Sequence, residues 1–185
     1  VMVNAVTHGN ELCGAVVLDF LFRKEVRPKK GKLTFSFANY EAYLRFDPLY
    51  PTNSRFVSED FNRLWSADVL DGARDSVELR RARLLRPLID EVDFLLDIHS
   101  MQQRCEPMSM AGPHSKGRDL ATAIEFPALV VIDSGHAAGA RLRDYDRFAV
   151  ATDPRNSLLV ECGQHWEQSS VTVAVETTLR FLDYF

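Results

Sequence analysis

Two imidazoles and two carboxylates stand in this sequence where they could share one cation. His8 and Glu11 follow the apolar run 1–6, His99 follows the apolar run 92–98, and Glu161 follows the run 157–160. Three positions separate His8 from Glu11, so on a helical backbone both side chains lie on one face and can converge on one ion. Gly9 between them permits close approach of the chain. Neutral imidazole nitrogen and carboxylate oxygen suit Zn²⁺, and a catalytic site of two His and one carboxylate leaves a fourth position for water. His99 completes that set, and Glu161 is a spare carboxylate at the same rim. Zinc lowers the pKa of its bound water from 15.7 to about 7, and a neighbouring Glu can take the proton during attack on a carbonyl and pass it to the leaving nitrogen. The competing reading of His8 and Glu11 alone is a helix start, where an acid is favoured by the helix dipole. A third ligand decides between them.

The elements that must position these groups are legible in the apolar periodicity. Residues 1–6 read as a strand covered on both faces, and 12–22 as a helix with Leu12, Ala15, Val16 and Phe20 on one side, so His8 and Glu11 fall on the loop after a strand. Residues 32–38 alternate as a second strand. From 40 to 62 no periodicity persists, and this irregular loop of roughly twenty residues carries Arg55, Asn62 and Arg63 among aromatic residues. An arginine there could stabilise an oxyanion or grip a carboxylate through paired hydrogen bonds. Ser76 is placed to cap a helix running to about Asp90, with Val77, Leu84, Leu85, Leu88 and Ile89 inward and a kink or break at Pro87. Strands over 92–98, 128–132 and 157–160 follow. A helix over 171–185 closes the chain, with Ser169 or Ser170 as its cap. Strands alternating with helices predict an α/β three-layer sandwich, a mostly parallel or mixed sheet with helices on both faces.

The 185 residues are 46% hydrophobic, enough for one domain with a real core. The formal net charge of −4 argues against a nucleic-acid partner held by a basic field. The Arg27, Lys29, Lys30 and Lys32 cluster reads as a solvated turn. No apolar run is long enough to cross a membrane, so no membrane partner is expected. Three cysteines without a C-x-x-C, and no recognisable signal segment, suit a reducing cytoplasm. The chain opens inside a strand without a Met, as a piece of a longer protein would. The sequence does not fix an oligomeric state, and a homo-oligomer is compatible with it.

Four motifs resemble the succinylglutamate desuccinylase/aspartoacylase family, relatives of the zinc carboxypeptidases. They are H-G-N-E at 8–11 followed by Gly14, D-F-N-R at 60–63, D-I-H-S at 97–100 and E-C-G at 161–163, in the family's order. The resemblance implies a zinc-carboxypeptidase-like fold and a hydrolase that removes an acyl group from the nitrogen of a small amino acid. It implies one Zn²⁺ on His8, Glu11 and His99, with Glu161 as base and later proton donor. It further implies that Arg55 polarises the scissile carbonyl and that Asn62 and Arg63 hold a substrate carboxylate. Family members carry a further, mostly β, C-terminal domain, which places residues 1–185 as the catalytic domain. The family's additional substrate-binding arginine has two candidates here, Arg147 and Arg155.

Two other functions remain open from the sequence: a metallocarboxypeptidase acting on peptides, and a non-catalytic, metal-stabilised ligand-binding module. A free base such as Glu161 is not needed by a purely structural zinc site. His114 and His136 read as surface residues and His165, four past Glu161, as a residue that could line the pocket. Asp97 shares a strand face with His99 and either orients it or serves a structural hydrogen bond. Asp133 reads as structural.

Overall fold

The computed structural model describes residues 1–185. In chain order the strands are β1 (Met2–Ala5), β2 (Thr34–Phe37), β3 (Phe94–Met101), β4 (Met108–Ala111), β5 (Leu129–Ile132) and β6 (Asn156–Gln164). The helices are α1 (Leu12–Arg23), α2 (Tyr40–Tyr43), α3 (Ala67–Leu70), α4 (Val77–Ile89), α5 (Ser115–Ile124) and α6 (Gln168–Asp183). The strands form one sheet in the order β2-β1-β3-β6-β4-β5, in which every neighbouring pair is parallel except β4 with β6. This is the mixed α/β sheet that the alternation of strands and helices predicts.

Alternation along the strands sends successive side chains into different layers. Val3, Ala5, Leu96, Ile98, Leu158, Val160 and Cys162 pack with α1, α5 and α6 on one face. Met2 and Leu95 point the other way, to Ala82, Leu85 and Ile89 of α4 and to Phe61, Trp65, Tyr145 and Phe148. Asn4, Asp97, His99 and Glu161 keep step with Met2 and Leu95, so the polar groups share the α4 side of the sheet. None of the helices is long and apolar enough to cross a membrane.

Several expectations are corrected. His99 and Glu161 lie inside β3 and β6 rather than beyond their ends, because the backbone ladder continues past the apolar runs to Met101 and Gln164. In α4 the buried stripe is Glu78, Leu79, Ala82, Leu85 and Ile89, whereas Leu84 is 70% and Leu88 47% exposed. The helix carries more leucine than its inner face can use. Pro87 sits within α4, which runs on to Ile89. Ser76 does cap it, accepting from Leu79 N at 3.0 Å. In α6 the cap position is Glu167, neither Ser169 nor Ser170 caps, and Ser170 Oγ instead donates to the Glu167 carbonyl. The loop after β2 is not wholly irregular, since it holds α2 and short 3-10 turns at Pro51–Ser54 and Phe61–Arg63. β4 and α5 were not anticipated by the periodicity.

Candidate metal centre

Residues 8–11 form a turn rather than a helical face, and α1 begins only at Leu12. Glu11 occupies the cap position, yet its side chain makes no capping hydrogen bond. Its carboxylate points instead at two rings. His8 Nδ1 lies 2.7 Å from Oε1, and His99 Nδ1 lies 2.9 Å from Oε2. The rings stand 5.3 Å apart at 68°. All three side chains are buried, and their ligand atoms lie within 4.8 Å of one another. The meeting of His99 with the same carboxylate decides against the helix-start reading.

The outer nitrogens are held as a metal site requires. Asp97 Oδ2 lies 2.8 Å from His99 Nε2, while Asp97 Oδ1 accepts from Asn4 Nδ2 at 2.8 Å and Thr7 Oγ1 at 2.9 Å. Asp97 therefore both orients His99 and ties β1 to β3. Asp60 Oδ1 lies 2.9 Å from His8 Nε2. Carboxylates placed this way hold the outer N–H, so that loss of the inner proton, which metal binding requires, would leave each Nδ1 lone pair directed inward. Arg55 Nη2 approaches both His8 Nε2, at 2.9 Å, and Asp60 Oδ2, at 3.2 Å. Because Nε2 cannot donate to Asp60 and accept from Arg55 together, the arginine's pairing is with Asp60.

The residues fit a bound Zn²⁺ on two further grounds. Glu11 Oε2 is buried without an aligned hydrogen bond even though His99 Nδ1 is close, as expected where both face a common third point. Charge balance agrees. Burial opposes ionisation of Glu11, but His8 and His99 outweigh it and hold the carboxyl well below its usual value. Burial likewise opposes charge on His99, yet Asp97 and Glu11 raise its pKa well above that of free histidine. The cluster thus favours a positive charge at its centre.

Glu161 occupies the rung of β6 opposite His99. Burial pushes its carboxyl up to about 8, with His99 opposing and Glu11, Asp97 and Cys13 reinforcing the rise. Its Oε2 has no hydrogen-bond partner. Asn62 is buried, its Oδ1 accepting from Leu142 N at 2.9 Å and its own N–H donating to Asp60 Oδ1 at 2.9 Å. Arg63, half-buried, donates to the Asn62 carbonyl and lies 3.9 Å from Asp60 Oδ2. All three residues from the long loop therefore meet Asp60, Arg55 and Arg63 through their guanidinium groups and Asn62 through its backbone N–H.

Arg147 and Arg155 do not reach this cluster. Arg155 bonds to the Asp90 carbonyl and faces Asp93, and Arg147 faces Asp153, all ahead of the opposite, N-terminal ends of β3 and β6. The arginine brought beside Arg63 is Arg141, on a segment that packs onto it through a bridge between Leu64 and Ala140 and a glycine, Gly139, whose Cβ would meet the Arg63 carbonyl. Arg141 Nη1 is paired with Asp133 at 2.7 Å. His136 is exposed, whereas His114 is half-buried with Nε2 2.9 Å from the Ala149 carbonyl. His165 is buried, with Nδ1 2.8 Å from Ser100 Oγ; burial holds its pKa below the usual value, with Arg55, His8 and His99 reinforcing the effect and Glu11 opposing it. The three cysteines are free, and Cys13 and Cys162 are buried. Sequence reasoning had no role for Asp60 or Arg141; the D-F-N-R motif holds the only signal for Asp60.

Residues 1–185 match the succinylglutamate desuccinylase/aspartoacylase catalytic domain. The chain belongs to this family. No curated protein sequence is significantly similar to it. Among solved structures, this desuccinylase/aspartoacylase domain superposes on succinylglutamate desuccinylase from Vibrio cholerae with a TM-score of 0.73 at 20% identity, covering 97% of this chain and 55% of that one. Murine aminoacylase 3 gives a TM-score of 0.69 at 21% identity, covering 99% and 63%. The product-bound ectoine utilization protein EutE from Ruegeria pomeroyi gives 0.67 at 19%, covering 98% and 55%. The chain thus spans just over half to under two thirds of the length of these relatives. At such identities the likeness establishes a shared fold, and the family match establishes a family of hydrolases.

Proposed function

We propose that this chain is the catalytic domain of a zinc-dependent hydrolase that cleaves the amide bond of a small N-acylated amino acid. The observation that carries the reading is the Glu11 carboxylate shared between His8 Nδ1 and His99 Nδ1, all buried, with Glu161 paired to His99 on the neighbouring strand. Held by His8, Glu11 and His99, Zn²⁺ would supply a Lewis acid for the carbonyl and lower the pKa of water from 15.7 to about 7.

The chain's own groups supply the remaining chemistry. Burial holds the Glu161 carboxyl up at about 8 in the metal-free chain, and the positive charge of a bound Zn²⁺ would favour its ionised form, the state in which it can act as a base. It takes a proton from the attacking water and passes it to the leaving nitrogen. Arg55, anchored through Asp60 beside His8, presents its remaining N–H groups to the developing oxyanion. Arg63 offers a planar pair of donors to a substrate carboxylate. Because Asn62 Oδ1 is taken by Leu142 N, its part in gripping that carboxylate falls to the side-chain NH₂.

Metal analysis of the purified chain, with turnover measured against N-acetyl, N-succinyl and N-formyl amino acids, tests the reading. About one equivalent of zinc, lost in His99→Ala, and release of a free amino acid from at least one member of the panel are expected. Unchanged zinc content in His99→Ala, or turnover of peptides but of no acyl amino acid, overturns it.

A further inference from the structure

Glu78 is fully buried at the start of α4, and the reaction outlined above gives it no work. Its carboxylate collects three consecutive backbone amides. Oε1 accepts from Val57 N at 2.6 Å, and Oε2 accepts from Ser58 N at 3.0 Å and Glu59 N at 3.3 Å. Asn39 Nδ2, at the end of β2, adds a fourth contact to Oε1 at 3.3 Å. The short segment so held runs between Arg55 and Asp60, which pair with each other at 3.2 Å while Asp60 holds His8 Nε2. Its near end is fixed as well, since Gly9 N donates to the Arg55 carbonyl at 3.0 Å.

We infer that Glu78 is a positioning residue for the proposed hydrolytic site: its carboxylate fixes residues 57–59 so that Arg55 and Asp60 reach His8. The inference rests on the reading of the site given above. A buried carboxylate is a costly way to cap a loop unless every lone pair is used, and here three amides and a carboxamide use them. A glutamine would turn an NH₂ group toward backbone N–H donors, so it fills the same space while releasing part of the segment. The nearby Ser76 caps the same helix without touching 57–59, which makes Ser76→Ala a control for loss of α4 stability alone.

The test has two readouts on the whole chain. In metal-free protein, the His8 imidazole NMR signals should shift or broaden in Glu78→Gln and stay in place in Ser76→Ala, with the His114 signals unmoved in both. In zinc-loaded protein, Glu78→Gln should lower kcat about ten- to a hundredfold with KM within about threefold, as expected for misplacement of a group acting in the transition state. In an Arg55→Met background the same change should cost less than about threefold, because the two act through one contact. Unmoved His8 signals, a kcat within twofold, or an equal penalty in both backgrounds overturns the inference. Should Glu78→Gln not fold, Glu78→Asp, which keeps the charge but is one methylene shorter, is read by the same criteria. Should the wild-type chain turn over no substrate, the hydrolase reading fails and the NMR comparison alone decides the role of Glu78.

Discussion

Glu161 and His99 stand side by side because they occupy one rung of the parallel ladder between β3 and β6. Ladder pairing, and not proximity in sequence, places the proposed base next to a proposed ligand.

Glu161→Gln should retain about one zinc while losing roughly 10²- to 10⁴-fold in kcat, the range for removal of a general acid–base group. Parallel metal analysis and steady-state kinetics check this. A non-catalytic binding module would have no rate to lose.

The same residue makes the metal-free protein sensitive to pH. Its carboxyl titrates near 4.5 in the unfolded chain and near 8 in the folded one, chiefly through burial. Between those values the folded state holds the extra proton, so stability falls as pH rises and the full benefit is present only below about 4.5. Glu161→Gln removes this dependence. In chelator-treated protein the variant should gain on wild type by up to about 5 kcal/mol between pH 4.5 and 8, measured by urea unfolding at several pH values.

Asp97→Asn should weaken zinc binding about 10- to 100-fold, since the carboxylate fixes the tautomer of His99. It should also lower stability, because Asn4 and Thr7 lose a charged acceptor. Zinc titration and thermal unfolding separate the two effects.

Gly9→Ala tests the contact between the His8 turn and the Arg55 loop. A Cβ there would lie 2.3 Å from the Ser54 carbonyl oxygen and 2.4 Å from the Ala42 carbonyl carbon, both backbone atoms that cannot swing aside. Overpacking of this kind costs roughly 1–3 kcal/mol. A lower unfolding midpoint together with reduced turnover is expected.

The meeting of His8, Glu11 and His99, with Glu161 beside them, was legible because polar groups with lone pairs interrupt the apolar runs there. Their exact place in the strands was not, since backbone pairing runs on beneath side chains of any polarity. The Asp60 role was hidden because its partner lies far back in the chain at His8. β4 is a four-residue strand that pairs antiparallel, and α5 carries Gly117 and no serine, threonine or acidic cap ahead of it, so neither left a clear periodic mark. Leu84 and Leu88 misled because apolar composition does not by itself state which side of a helix is covered.

Since the apolar and the polar side chains of β3 take turns, sliding that strand by a single residue would deliver the imidazole of position 99 into the layer beneath α1 and α6. Conservative changes among Leu95, Leu96 and Ile98, remote from any reacting atom, keep that alternation and should leave the imidazole in its layer, whereas a slip of one residue would remove it. Catalytic competence then serves as an assay of correct strand alignment.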